Sequence, residues 1–199
     1  KGEIHFAGAL ENNEDTGTLQ YLASTAMEAG FSTRVLDMQA LDLQNGRFFD
    51  PAGELVNRCF KLYPWEWMVD ESPDGCLAEM EWLEPIWKLV MSNKAILATL
   101  YELFPDSPYV LPCYLSRPRS GLFCKKPVFS REGHNVSVVD IRNWEEHVRI
   151  AETEGDYNTG AYVYQEYVEP TAYSGRYPVI GSWIIGGEAA GIGIRENRM

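Results

Sequence analysis

The sequence is poor in positive charge, and this shortage excludes one large class of partner. Its 199 residues contain 17 Lys and Arg against 29 Asp and Glu, which gives a formal net charge of −12. Nonspecific binding of a nucleic-acid duplex needs clustered Lys and Arg to displace counterions, so no nucleic-acid partner is expected. An anionic nucleotide is still compatible with this charge, because a nucleotide site needs only a few local cations.

Patterned cysteines and long apolar runs are also missing. The four cysteines have no C-x-x-C spacing, and the three histidines are scattered and unlike a metal-binding set. This argues against a zinc site or a disulfide framework and predicts a reducing, cytoplasmic location. No apolar run approaches the roughly 20 residues of a membrane span and no signal peptide is visible, so no membrane partner is expected. Because the sequence opens at Lys1 without methionine and stops after a charged loop, we expect a fragment.

Apolar patterning predicts an α/β protein. Residues 3–10 and 32–37 read as strands with a helix at residues 18–29 between them, and Gly30 is expected to cap that helix. This β-loop-α-β start indicates a parallel sheet. Asn45-Gly46 predicts a hairpin turn.

The chain beyond residue 92 is predicted to be mostly strands. A helix is expected at residues 95–104, capped by Ser92 or Asn93, and another helix near residues 143–152. Gly186-Gly187 predicts a tight two-residue turn. The expected strands are residues 123–129, 136–139, 161–168, 179–185 and 188–194.

The segment from Lys126 to Val136 is the most informative part of the sequence. It reads as a strand carrying a lysine, a polar loop that turns on Gly133, and a second strand. Backbone N–H groups around such a glycine can converge on phosphate oxygens, and the lysine adds charge. Two ordinary alternatives remain: Lys125 and Lys126 alternate across an edge strand with one of them solvated, and the loop is a plain hairpin turn. The loop matches neither the Walker pattern nor the Rossmann fingerprint.

Three further features are compatible with a nucleotide site. A β-type run ends in polar groups that could meet an adenine edge and ribose hydroxyls, although a plain strand terminus is the alternative. Arg195 follows small residues and could neutralise a transferring phosphoryl group, or form a surface salt bridge beside Glu196. Lys94 lies at a helix start, which is unfavourable for a cation, but an exposed lysine there costs little. The polar β-type ending consists of Gln165, Glu166, Tyr167 and Val168.

Taken in order, these motifs resemble the glutathionylspermidine synthase family over essentially the whole chain. The resemblance implies an α/β fold, ATP-grasp-like with an adjoining pre-ATP-grasp-type region, and incomplete. Residues 1–92 would form the central α/β region and residues 93–199 most of the ATP-binding lobes. The matching segments are residues 63–68, 84–88, 92–94, 126–133, 165–166, 180–183 and 191–196.

The resemblance implies an ATP-dependent ligase that joins a carboxylate to an amine through an acyl phosphate. Lys94 and Lys126 would hold ATP phosphates, and Arg195 would act in catalysis by stabilising the charge of the transferring phosphate. The expected substrates are a peptide carboxylate, such as glutathione, and a polyamine or other amine. Further cofactor-binding residues implied are Arg131, Glu132 and Gly133, which close over the phosphates, and Gln165, Glu166, Tyr167 and Val168, which border the adenine.

The family binds Mg²⁺ through an Asp and a Glu-x-Asn pair that precede everything in this sequence, so no metal ligand is expected here. Residues 11–16 imitate that motif, but they lie between the opening strand and helix, where the family has a variable loop. Without these ligands and a closing tail, the 199-residue piece is expected to bind nucleotide poorly and to be inactive. The alternatives are a catalytically lapsed nucleotide- or peptide-binding module and a purely structural scaffold.

Overall fold

The computed structural model describes residues 2–142, 147–157 and 160–197. The chain divides into two compact units, Lys1–Asn93 and Lys94–Met199. Both parallel and antiparallel sheets are present together with helices, so the α/β class is confirmed. Within the described residues, no helix combines the length and the apolar composition that a membrane-crossing helix requires.

The elements of the first unit are β1 (Glu3–Gly8), α1 (Asn13–Glu28), β2 (Ser32–Asp37), β3 (Asp42–Gln44), β4 (Arg47–Phe49), β5 (Leu55–Val56), β6 (Arg58–Leu62), α2 (Trp65–Glu71), α3 (Pro73–Cys76), β7 (Glu81–Leu83) and α4 (Leu89–Ser92). The unit is built on a parallel sheet with strand order β2-β1-β6-β7 and has a small antiparallel sheet of β3, β4 and β5. One 3₁₀ turn, Met38–Ala40, follows β2, and another, Ile86–Lys88, precedes α4.

Helix α1 begins five residues earlier than the sequence predicted. Asn12 caps it, because its Oδ1 accepts the backbone N–H of Glu14 at 2.9 Å. The polar residues that read as a loop are therefore mostly the first turn of the helix. At the other end Gly30 has φ of 88° and its N–H donates to Met27 O, so the predicted glycine cap is confirmed.

The parallel sheet is packed on both faces, as alternation along β1 requires. Ile4 and Phe6 face α1 and contact Leu19 and Ala23. Ala7 points to the other face, where a larger aromatic cluster lies. Together with Ala7 that cluster contains Leu36, Phe48, Val56, Cys59, Trp65, Met68 and Trp82.

A charged network fixes the loop after β4 to the edge strand β2. Arg34 Nη1 donates to Asp50 Oδ2 at 2.6 Å, and the same guanidinium also binds Glu3 and Glu54. The N–H groups of Glu54 and Ala52 donate to Asp50 Oδ1 at 2.9 Å. These backbone hydrogen bonds, assisted by the Arg34 charge, hold the pKa of Asp50 below its usual value although burial opposes them. The turn at Asn45-Gly46 is confirmed, with φ of 50° and 76°.

The elements of the second unit are α5 (Ile96–Leu103), β8 (Cys113–Tyr114), β9 (Gly121–Pro127), β10 (Ser137–Ile141), β11 (His147–Glu152), β12 (Tyr162–Glu166), β13 (Tyr177–Ile185) and β14 (Glu188–Asn197). Five of the strands form an antiparallel sheet in the order β11-β10-β9-β12-β8, and β13 and β14 form a separate two-stranded sheet. Helix α5 packs on the larger sheet through Ala98, which contacts Cys113 and Val163.

Two sequence predictions for this unit are wrong. Of the helix expected near residues 143–152, the part that the structure describes is strand β11, and residues 143–146 lie outside the described residues. Val148 and Ile150 alternate with polar residues, which suits an outer strand paired with β10. Helix α5 is not capped by Ser92 or Asn93: Ala95 is its N-cap residue without a side-chain hydrogen bond, and Ser92 Oγ donates to Leu89 O.

The β13–β14 hairpin carries exposed apolar side chains. Its turn at Gly186-Gly187 is confirmed, with φ of 61° and 85°. The ladder places Ile180 opposite Ile194 and Ser182 opposite Ile192, so these side chains share one face with Ile184. Each of the four isoleucines is at least 60% exposed, so nothing in the described residues covers this face.

Candidate functional site

Strand β9 is the central strand of its sheet and presents two lysines to opposite faces. Lys125 Nζ lies 3.9 Å from the ring centroid of Tyr162, a cation–π contact. Lys126 Nζ donates to Gln165 Oε1 on β12 at 2.6 Å. Because β9 lies between β10 and β12, the alternative of an edge strand with one solvated lysine is wrong. Both lysines are half-buried.

Lys94 is held near the end of the same strand. Its backbone N–H donates to Val128 O at 2.8 Å, two residues beyond Lys126. Its ammonium donates to Ser130 O at 2.5 Å and to Ser130 Oγ at 3.0 Å. These partners are neutral oxygens, and a cation bonded to neutral oxygens keeps its attraction for an anion. The structure therefore brings Lys94 and Lys126 to the same end of β9.

Two thiols accompany Lys126. The ladder places Gln165 opposite both Cys113 and Cys124, so these side chains form a row across three strands. Burial raises the pKa of both thiols, while the charge of Lys126 lowers it by less. The thiols stay protonated near neutral pH and do not neutralise Lys126. All four cysteines of the chain are free.

The loop that follows β9 contains Arg131, Glu132 and Gly133. It turns with φ of 53° at Glu132 and 75° at Gly133, and His134 N–H donates to Arg131 O at 2.9 Å. Arg131 is half-buried, whereas Glu132 and Gly133 are exposed. Because β9 and β10 pair antiparallel, the loop also closes a β hairpin. Gly133 is therefore compatible both with a phosphate-binding loop and with a plain hairpin turn.

The C-terminal part of the loop is hydrogen-bonded to the segment that follows β11. Asn135 Nδ2 donates to Gly155 O at 2.8 Å, and Asn135 Oδ1 accepts the N–H of Tyr157 at 2.8 Å. Thr153 Oγ1 donates to Gly133 O. Sequence analysis missed Thr153 and Gly155, because these contacts span about 20 residues and no local pattern indicates them.

Two backbone N–H groups of the segment expected to border the adenine are already hydrogen-bonded within the protein. Glu166 N–H donates to Pro112 O at 2.8 Å, and Tyr167 N–H donates to Leu122 O at 3.0 Å. The side chain of Gln165 accepts from Lys126, while Glu166 and Val168 are exposed. The exposed side chain of Glu166 is therefore the polar group that this segment presents to solvent.

Arg195 is not brought to the two lysines by any contact of the described residues. It is exposed on β14 opposite Val179, in the separate two-stranded sheet. Glu196, which the sequence suggested as a salt-bridge partner for Arg195, instead accepts a hydrogen bond from Arg176 Nη1 at 2.7 Å. The approach of Arg195 to a phosphate held by Lys94 and Lys126 stays a prediction.

The cofactors implied by the resemblance differ in how well these residues suit them. The ammonium groups of Lys94 and Lys126, and a loop with positive φ at Glu132 and Gly133, suit the phosphates of ATP. Throughout residues 2–142, 147–157 and 160–197, no three His, Cys, Asp or Glu side chains converge to hold a metal ion.

These features describe a mixed α/β chain in which Lys94 is bonded to the residues that follow β9, the strand that carries Lys126. The family model described as "Glutathionylspermidine synthase preATP-grasp" matches residues 1–199, and the chain belongs to this family. The resemblance inferred from the motifs is thus confirmed.

Curated relatives carry ligase or synthetase names. A "putative acid–amine ligase" of Haemophilus influenzae is 34% identical over 99% of this chain and 53% of its own length. The trypanothione synthetase of Crithidia fasciculata is 28% identical over 99% of this chain and 34% of its own length. The bifunctional glutathionylspermidine synthetase/amidase of Escherichia coli is 27% identical over 92% of this chain and 34% of its own length. The chain thus spans between a third and about half of these relatives.

Proposed function

We propose that this chain is the nucleotide-holding part of an ATP-dependent ligase that joins a carboxylate to an amine. The observation that carries the proposal is the bonding of Lys94 to Val128 and Ser130, which directly follow β9, the strand that carries Lys126. Membership of the family and the ligase and synthetase names of the relatives support it. Residues 93–199 would be the incomplete ATP-grasp lobes.

In the proposed reaction, a carboxylate oxygen of the acid attacks the γ-phosphorus of ATP and ADP leaves. The amine nitrogen then attacks the acyl carbon, phosphate leaves, and the nitrogen loses a proton to give the amide. Phosphoryl transfer is catalysed mainly by positioning and by neutralising charge. Lys94 and Lys126 would orient the phosphates, and Arg195 would stabilise charge on the group in transit.

The substrates proposed are a peptide carboxylate, of which glutathione is the first to test, and a polyamine or other amine. The trypanothione and glutathionylspermidine synthetases among the relatives support this choice by name. Arg131, Glu132 and Gly133 would cover the phosphates, and the end of β12 with Gln165, Glu166, Tyr167 and Val168 would border the adenine.

The test is ADP release by the full-length protein with ATP, Mg²⁺, glutathione and spermidine. We expect turnover that needs all components, and a fall in kcat of about 10²- to 10³-fold for Arg195→Ala, as for removal of one charge-stabilising donor. Arg149→Ala is the matched control, because Arg149 is a half-exposed arginine of the same unit that pairs with Glu152. Equal turnover for the two variants would remove the catalytic role of Arg195.

A catalytically lapsed binding module is the alternative. Within the described residues, Arg195 lies in a two-stranded sheet whose strands pair only with each other. If this sheet never brings Arg195 to the phosphates, the binding module is the favoured alternative. A full-length protein that binds ATP with no turnover on any acid and amine pair would establish it.

A further inference from the structure

The first unit contains a cavity whose lining residues have no role in the proposed function. It has a volume of about 190 Å³ and opens where β2 and β6 end, next to Met38 and Tyr63. In open α/β sheets, ligands bind outside the carboxyl ends of the strands. The volume corresponds to roughly six waters at about 30 Å³ each, which is room for a short aliphatic chain.

The walls of this cavity are mainly apolar. Met38, Leu41, Leu43, Phe48 and Met68 line it, and the two methionines can adapt their shape to a flexible guest. Such a lining favours methylene groups, because it removes their surface from water without leaving polar groups unpaired.

The polar part of the lining is dominated by one carboxylate. Glu71 is exposed at the cavity, and the hydroxyl of Tyr63 donates to its Oε2 at 2.5 Å. Burial raises the pKa of Tyr63 to about 12, and the hydrogen bond to Glu71 and the negative charges of Glu71 and Asp37 act in the same direction. The phenol therefore stays protonated at neutral pH and occupies only one of the acceptor positions of Glu71.

Lys61, which is hydrogen-bonded to Tyr63, does not line the cavity. Lys61 is buried, donates to the backbone carbonyl of Tyr63 at 2.6 Å, and lies 3.9 Å from the ring centroid of Trp65. The other polar lining residues, Gln39 and Ser72, are uncharged. Glu71 is thus the charged group that a guest in this cavity would meet.

We propose that this cavity binds a short primary alkylammonium group, with its methylenes between Met38 and Met68 and its nitrogen on the free acceptor positions of Glu71. An anionic guest would be repelled by Glu71 and Asp37, and a neutral guest would lose the charge-assisted hydrogen bond. The proposal concerns the first unit alone and holds whether or not the ligase function does.

The test uses the whole chain labelled with ¹³C at its methionine methyl groups and titrated with n-pentylamine at pH 7. We expect saturable shifts of the Met38 and Met68 signals, while Met27, which is 60% exposed on α1, stays unchanged. 1-Pentanol and pentanoate are the neutral and anionic isosteres. We expect the alcohol to bind about three- to tenfold more weakly and the acid not to bind.

Glu71→Gln and Asp70→Asn form the matched pair of variants, since both remove one exposed carboxylate from α2 and only Glu71 lines the cavity. Glu71→Gln should lower the amine affinity to that of 1-pentanol, and Asp70→Asn should leave it within about twofold. Unmoved Met38 and Met68 signals would overturn the cavity as a binding site. Equal binding of amine and alcohol to the unaltered protein, or equal effects of the two variants, would overturn the amine specificity.

Discussion

Lys126 and Gln165 are joined across β9 and β12 by a hydrogen bond of 2.6 Å from Nζ to Oε1. The ladder places Lys126 opposite Val163 and Gln165 opposite Cys124, so the two side chains meet on a diagonal. The amide oxygen fixes the position of the ammonium without neutralising its charge. This relationship distinguishes Lys126 from its neighbour Lys125, whose ammonium lies over the ring of Tyr162.

Nucleotide affinity should therefore depend on one of these adjacent lysines and not on the other. We expect Lys126→Met to weaken ATP binding to the full-length protein by roughly 10- to 100-fold, the loss of one charged hydrogen bond to phosphate. Lys125→Met removes the same charge from the opposite face and should change affinity by less than about threefold. Calorimetric titration with a nonhydrolysable ATP analogue measures both, and equal losses would contradict the assignment.

Gly155 is distant in sequence from the loop that is proposed to cover the phosphates, but it should control the conformation of that loop through direct contacts. A Cβ at this position would lie 2.5 Å from Cβ of His134 and 2.8 Å from Oδ1 of Asn135, and the glycine has φ of 157°. Gly155→Ala should displace the loop and lower ATP affinity about tenfold, although residue 155 is not one of the proposed ligands. Gly160→Ala, with a positive φ and no atom within 4 Å of its Cβ, is the control for backbone strain alone. Loss of affinity of the same size in both would refute the steric explanation.

Two glycines of the first unit should respond to alanine in opposite directions. A Cβ at Gly8 would lie 3.0 Å from Leu62 O and from Leu19 Cδ1, so we expect Gly8→Ala to lower the free energy of unfolding by about 1–3 kcal/mol. Gly17 lies within α1 with nothing near its Cβ, and Gly17→Ala should raise that free energy by about 0.5–1 kcal/mol. Urea unfolding of both variants checks the pair.

Acid should weaken the first unit partly through Asp50. Its folded pKa lies below the ordinary value of 3.8, so its contribution to stability is complete above that pH and is lost as the pH falls through the folded pKa. Asp50→Asn should reduce stability at pH 7 and flatten the decline of the urea midpoint below about pH 4. Asp42→Asn is the control, because exposed Asp42 accepts only from the neighbouring Gln44. An unchanged acid profile for Asp50→Asn would contradict this reading.

Local features of the fold could be predicted from the sequence because their causes are local. The glycine cap at Gly30, the hairpin turn at Asn45-Gly46 and the strand–loop–strand around Gly133 each depend on residues a few positions apart. Helix α1 was predicted too short for a related reason: Asn12 and the acidic residues after it are polar, and polarity alone does not separate a capped first turn from a loop.

What could not be predicted depends on strand order and register. The contact of Lys126 with Gln165 spans 39 residues, and it exists because β12 pairs with β9 in one particular register. The same pairing makes β9 central and overturns the edge-strand alternative for its lysines. The helix expected near residues 143–152 failed because pairing of Val148 and its neighbours with β10 outweighs their helical propensity.

The β13–β14 hairpin has a practical consequence for anyone who isolates this polypeptide. Repulsion between molecules that each carry a net charge of −12 opposes association. However, the four exposed isoleucines and the two unpaired strand edges of this sheet, within the described residues, form a surface that can associate with other molecules. Aggregation at high protein concentration should start at this hairpin, and the single substitution Ile184→Lys should keep the sample monodisperse.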